Sequence, residues 1–283
     1  MRCRRTFAGG SWTCPHCGFA PREHGPIRSF CAPGAREGFD PDAFERLAAL
    51  EQGSFWFRAR NRLISWATSR YFPAARSFLE VGCGTGFVLA GLRRAIPRLR
   101  LVGGELHLQG LEHAAARLPE VELLQVDARR LPFAEEFDVV GAFDVLEHIA
   151  DDRGALAELH AAVRPGGGLL ITVPQHPWLW SAMDEYGEHQ RRYRRAELAA
   201  KVTAAGFELR RLTSFVTALL PAMAAMRLRE RLRPAPLDPT AELATPALLN
   251  RALERVMDLE RAAIERGHDL PVGGSLLAVA VRP

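Results

Sequence analysis

Lysine is almost absent from this 283-residue chain, whose 37 basic residues include only one, Lys201. A phosphate-cradling loop ending in Gly-Lys-Ser/Thr is thereby excluded. Also missing is any run of the ~20 apolar residues that a membrane span needs. The most apolar stretch, FVTALLPAMAAM from Phe215, stops at Met226. The opening MRCRRTFAGGSWTCPHC holds no apolar core of the kind a signal peptide carries, which leads us to expect a cytoplasmic protein. Charge of one sign is scarce as well. A net charge of +4 permits nucleic-acid binding without indicating it. The five cysteines are an odd number with no secretory context, so a disulfide framework is not expected.

Four of those cysteines fall within the first 31 residues, and Cys14-Pro-His-Cys17-Gly has the form of a zinc knuckle. One knuckle supplies two ligands, and no second C-x-x-C follows. Cys3 with Cys31 (or His24) would complete a tetrahedral structural site, or the segment is a decayed remnant of one. Residues 1–38 thus read as a small metal-binding module. Residues 39–75 read as a helical extension opened by Asp40-Pro41.

From residue 76 onward, short apolar strands alternate with amphipathic helices. The strands are 78–81, 101–103, 121–126, 137–143 and 169–173. Val88, Leu92 and Ile96 share one helical face, as do Leu108, Leu111, Ala115 and Leu118. This rhythm predicts an α/β, Rossmann-like, doubly wound sheet with ligands at the carboxyl ends of its strands. Residues 215–267 interrupt it as a helical insertion. Packing on the core as a cap and lying on a membrane surface are both open to them.

The first strand ends in LEVGCGTG, with glycines at 82, 84 and 86. A dinucleotide fingerprint needs a glycine at 87, where this chain has Phe87. Acids instead crowd the strand ends: Glu80, Glu105, Asp127, Asp144 and Glu147. So many carboxylates suit a ligand without a diphosphate, one that donates hydrogen bonds and carries positive charge. S-adenosylmethionine (SAM) meets that description. Each acid could also simply cap the helix that follows.

LEVGCGTG, GGEL (103–106), QVDAR (125–129), FDVVGAFDVLEHI (137–149) and RPGGGLLITVP (164–174) together resemble the ordered motifs of class I SAM-dependent methyltransferases. The resemblance spans roughly residues 78–207. It implies a seven-stranded sheet with its last strand, 275–281, antiparallel and 207–213 beside it, within a methyltransferase domain of residues 76–283. It further implies that Gly82, Gly84 and Gly86 pass the methionine part of the cofactor, with Glu80 bracing the loop. Glu105, followed by Leu106, would accept the ribose hydroxyls, and Asp127 with Ala128 would receive the adenine. Asp144 and Val145 would border the sulfonium.

On the acceptor side, His176 and His189 lie in an aromatic- and histidine-rich segment after the fifth strand. With His148, they are the candidate general bases. The expected acceptor is a small molecule or a lipid-like compound. Two alternatives remain: an rRNA base methyltransferase that uses the Cys-rich module on RNA, and a non-catalytic SAM-binding regulator.

Overall fold

The computed structural model describes residues 6–7, 11–32, 43–232 and 245–283. Its strands are β1 (Arg22–His24), β2 (Ile27–Ser29), β3 (Ser77–Val81), β4 (Arg100–Glu105), β5 (Glu122–Gln125), β6 (Phe137–Phe143), β7 (Val163–Pro174), β8 (Glu208–Phe215) and β9 (Ser275–Val281). They form one sheet in the order β1-β2-β5-β4-β3-β6-β7-β9-β8. From β5 to β7 every neighbouring pair is parallel, while β9 runs antiparallel to both β7 and β8. The antiparallel final strand thus agrees with expectation.

The strand count does not agree. Two more strands join the expected seven, because the β1–β2 hairpin of the Cys-rich segment adds β2 in parallel to β5, with Ile27 opposite Leu123. The Arg-Glu-His of β1 is exposed and has no apolar alternation, so nothing in its pattern announces a strand.

Helices cover both faces: α1 (Ala43–Leu50), α2 (Phe55–Tyr71), α3 (Phe87–Ala95), α4 (Leu108–Arg117), α5 (Asp152–Ala162), α6 (Ala182–Tyr186), α7 (Arg195–Ala204), α8 (Leu220–Leu232) and α9 (Ala247–Glu265). Successive strand residues point to opposite faces, and β3 shows this plainly. Phe78 joins the core under α2, α3, α4 and α9, with Leu63, Leu89, Leu111 and Ile264. Leu79 joins the core under α5 and α7, with Leu156, Leu159, Leu198 and Val202. The lone Lys201 is nearly buried and donates to Asp152 at 2.6 Å and Glu197 at 2.7 Å, a structural role. Among the described residues no helix is long and apolar enough to cross a membrane.

The strand order reverses between β3 and β6. The run β3-β4-β5 extends one way and β6-β7 the other, which opens a crevice beyond the carboxyl ends of β3 and β6.

Charge joins apolar packing in holding the insertion to α2. Glu254 of α9 accepts from Arg58 Nε at 3.0 Å and Arg62 Nη1 at 2.8 Å, and Asn250 Oδ1 accepts from Phe55 N at 2.7 Å. The hydrogen bond from Arg58 is the chief reason that the Glu254 carboxyl titrates at about 2 rather than 4.5. A carboxyl depressed in the folded state stabilises above its unfolded value and loses that contribution as pH falls through its folded value. Glu254→Gln is therefore expected to cost on the order of 1 kcal/mol at neutral pH, a drop in Tm of about 2–4 °C. The difference from the parent should shrink as the pH of the melt falls from about 4.5 towards 2. An equal difference at all pH values would show that packing, not charge, fastens α9.

Candidate active site

The glycine loop after β3 turns where only a residue without Cβ fits. Gly82 has φ +74°, and a Cβ there would run into Cγ2 of Val145. Gly84 has φ +50°, and the nearest atom to a Cβ there is Phe44 Cε1 at 3.5 Å, so its backbone faces the crevice. Gly82 N and Cys83 N both donate to Gly104 O, at 2.7 and 3.0 Å, which fastens the loop to β4.

A clamp that the sequence did not reveal holds the other side. Thr85 Oγ1 donates to Glu51 at 2.6 Å, and Arg117 Nη1 reaches Glu51 Oε2 at 3.0 Å and Thr85 O at 3.0 Å. Glu51 and Thr85 are both buried. The loop is thus fixed from the residue after α1 and from α4 as well as from β4.

The cleft beyond this loop is lined by Gly82, Gly84, Glu105, Leu106, Asp127, Ala128, Asp144 and Val145, all expected from the sequence. Phe44, Arg129, His148 and Ile149 complete much of its wall. Glu105 Oε2 accepts from Gly84 N at 3.1 Å, and Oε1 accepts from Leu106 N at 2.7 Å and His107 N at 3.0 Å. It therefore caps the start of α4 and braces the glycine loop together. Oε2, with one donor against two on Oε1, keeps lone-pair capacity for a further donor.

Glu80 sits behind the loop, outside the lining, nearly fully buried and with Oε2 lacking a hydrogen-bond partner. Burial pushes its carboxyl well above the usual range, against the pull of Arg60. Asp127 behaves in the opposite way. Burial alone would raise it, but Arg129, bound at 2.8 Å through Nη2 and through its backbone N, holds it below the ordinary value.

Asp144 adopts φ +56° at the end of β6. Its Oδ2 pairs with Arg60 Nη1 and accepts from Thr172 Oγ1 at 3.2 Å. Arg60 comes from α2 and lies 4.4 Å over the Trp56 ring, so it arrives stacked and pre-oriented. Nothing in its sequence neighbourhood marks it as a site residue.

Of the three candidate histidines, His148 lines the cleft. His189 packs edge-on against it, with ring centroids 4.6 Å apart, and shares a hydrogen bond of 2.8 Å between its Nδ1 and Asp184 Oδ1. His176 is not among the lining residues. It tilts against Trp178 at 5.5 Å, and burial, with Arg192 and Arg194, holds its imidazole below the usual value. Arg191 and Arg192 are engaged in ion pairs, with Asp152 at 3.0 Å and Asp184 at 2.7 Å respectively.

The Cys-rich segment turns at Cys14–Gly18, where Gly18 N donates to Cys14 O at 3.0 Å. Cys14 is buried, while Cys17 and Cys31 are half-buried. Burial, and then Asp127, push the Cys31 thiol up to about 11. Cys3 lies outside the described residues. Among the described residues, the group of three potential metal ligands that converges is Glu147, His148 and His189, not a set of cysteines. The segment does touch the cleft's edge, because Ser29 Oγ donates to Gln125 Oε1 at 2.5 Å and Gln125 Nε2 donates to Leu106 O at 2.8 Å.

This sheet order, glycine loop and ring of strand-end acids fit SAM by a structural criterion. The loop is shaped where a Cβ cannot stand, and the cleft presents acceptors to a ligand rich in donors. Residues 48–212, more than half of the chain, match the methyltransferase domain family, and the chain belongs to the class I SAM-dependent methyltransferases. SAM is the cofactor of these proteins. The chain is 30% identical over 168 residues to a probable S-adenosylmethionine-dependent methyltransferase of Mycolicibacterium smegmatis, covering 58% of this chain and 63% of that one. It is 34% identical over 102 residues to a trans-aconitate 2-methyltransferase of Azoarcus, covering 36% and 40%. It thus spans between 40 and 63% of the length of these two relatives. A solved SAM-dependent methyltransferase of Thermotoga maritima, a possible histamine N-methyltransferase, superposes with a TM-score of 0.53 at 18% identity, over 86% of this chain and 95% of that one. At that identity the likeness concerns the fold.

Proposed function

We propose that this chain transfers the methyl group of SAM to a small-molecule or lipid-like acceptor. The supporting observation is the composition of the cleft, where Glu105, Asp127 and Asp144 stand at three successive strand ends around the glycine loop. When bound, SAM supplies an electrophilic methyl on a sulfonium, and nearby carboxylates favour that charge. In this reading Glu105 takes the ribose hydroxyls, Asp127 and Ala128 the adenine edge, and Gly82 and Gly84 let the backbone approach the methionine part. Asp144, held by Arg60 and Thr172, and Val145 border the sulfonium side. His148 and Ile149 then face the acceptor.

Residues 76–283 would be the catalytic unit, with 39–75 covering the cofactor through Phe44, Glu51 and Arg60. Residues 1–38 would be an edge module, and 215–267 a cap beside the acceptor entrance. Exposed Leu228 and Leu232 on α8, with Leu248, Leu249 and Leu259 on α9, favour an apolar acceptor near that cap. The name of the Azoarcus relative, a methyltransferase of a small acid, also favours a small molecule.

Incubation with methyl-labelled SAM and fractionated cell extract tests the reading. Label should enter the small-molecule or organic-soluble fraction in a time-dependent way. Label entering RNA, or SAM retained without any transfer, would replace the proposal with one of its alternatives.

A further inference from the structure

Glu147, His148 and His189 each offer one potential ligand atom, and the three atoms lie within 4.8 Å of one another. They come from two segments: the 3-10 turn Leu146–His148 after β6, and the loop after α6. Gln190 N donates to Glu147 O at 2.7 Å, which ties the two segments together and makes the convergence a built feature.

The side chain of Glu147 is fully buried, yet neither of its carboxylate oxygens has a hydrogen-bond partner. Burying a carboxylate without donors is costly, and such a group calls for an explanation. Burial first, and Asp144 second, push its carboxyl well above the usual range. The neighbouring cations do not satisfy it. Arg60 is engaged by Asp144, and Arg192 by Asp184 at 2.7 Å.

His189 is held by Asp184 through Nδ1, which leaves Nε2 as its remaining ring nitrogen. Asp184 is itself anchored by Ser181, whose N and Oγ both donate to Oδ2 at 2.8 Å. A carboxylate behind an imidazole is the arrangement that orients metal-binding histidines and sets their tautomer. Two imidazoles and one carboxylate suit a divalent first-row transition metal better than magnesium or calcium, which prefer all-oxygen shells.

We propose that Glu147, His148 and His189 form a binding site for one divalent first-row transition-metal cation at the acceptor end of the cleft. Three protein ligands leave coordination positions open, and there the cation can hold an oxygen of the acceptor and ease loss of its proton. That role rests on the methyl-transfer reading, whereas the binding itself does not. Under this proposal His148 and His189 serve as ligands, not as the base.

Cobalt(II) is the probe, added to the full chain after dialysis against chelator, with neither SAM nor acceptor present. Calorimetry is expected to show one cobalt bound with a nitrogen–oxygen type visible spectrum. The wild-type proton spectrum should carry shifted imidazole N–H signals. His189→Ala and Glu147→Gln should each lower cobalt affinity at least ~10-fold while SAM affinity persists, which reports that the variants fold. No cobalt binding, or absence of the shifted imidazole signals in the wild type, would overturn the proposal. So would a bound cobalt showing only a thiolate charge-transfer band that survives His189→Ala, since the metal would then sit on Cys14 and Cys17. Failure of SAM to bind a chain that still takes up cobalt at the triad would strike the methyl-transfer reading and leave the metal site standing.

Discussion

Glu105→Ala is expected to bind SAM about ten- to a hundredfold more weakly than the parent, a loss on the order of 1.5–3 kcal/mol. The residue is buried at the end of β4 and lines the cleft. A ribose hydroxyl that donates to a carboxylate makes a charge-assisted bond, roughly twice as strong as a neutral one. The structure adds a second cause, because the same carboxylate accepts from Gly84, Leu106 and His107 backbone N–H groups. Removing it frees the glycine loop as well as the hydroxyl acceptor. Glu105→Gln separates the two causes. It retains an oxygen for the backbone but loses the charge, so it should fall between parent and alanine variant. Calorimetric titration with SAM and with its demethylated product measures both. Parent-like affinity in Glu105→Ala would remove this residue from the cofactor site.

Much of this site was legible because its residues are local in sequence. An apolar strand, an acid at its end and a helix behind it are written within about twenty residues each. Glu105, Asp127 and Asp144 could therefore be placed at strand ends without knowing how the strands pair. β9 was placed through the family resemblance, and residues 215–267 were expected as a helical insertion. What escaped was whatever depends on distant partners. Glu51 meets Thr85 across 34 positions, Arg60 meets Asp144 across 84, and Ser29 meets Gln125 across 96. An arginine on an amphipathic helix reads as solvated, and only tertiary packing turns Arg60 inward over Trp56. The β1–β2 hairpin was missed for a related reason. Three exposed residues carry no periodicity, and their place is set by the open edge of β5.

The histidines show where a local reading assigns chemistry one residue at a time and misses the unit. Read singly, His148, His176 and His189 are rival bases. Folded, His176 leaves the cleft for Trp178, while His148 and His189 meet each other and the orphaned Glu147. His189 is held in place by Asp184, which nothing in the sequence pattern marked.

Asp184→Ala is therefore expected to destabilise the protein by about 3–5 kcal/mol, the usual cost of removing one partner of a buried ion pair. The Asp184 side chain is 1% exposed and Arg192 10%, so the guanidinium left behind is poorly hydrated. Its other bond is a long one, from Nη1 to Gln175 O at 3.3 Å. Loss of the carboxylate also undoes the capping box of α6 and frees the His189 ring from its hydrogen bond to Asp184. Burial raises the Asp184 carboxyl, but the bonds from His189 and Arg192 outweigh it and hold the group well below the usual range. Its contribution is thus complete above the ordinary carboxylate value and fades only in strong acid. A chain of this size should lose roughly 2–4 °C per kcal/mol, so the midpoint of thermal unfolding should fall by roughly 6–20 °C at neutral pH. Limited proteolysis should find the new cleavage between residues 175 and 193 before the sheet opens. If the variant melts with the parent, the segment over the acceptor side is held by Tyr193, which donates to Asp152 Oδ2 at 2.7 Å, and not by Asp184.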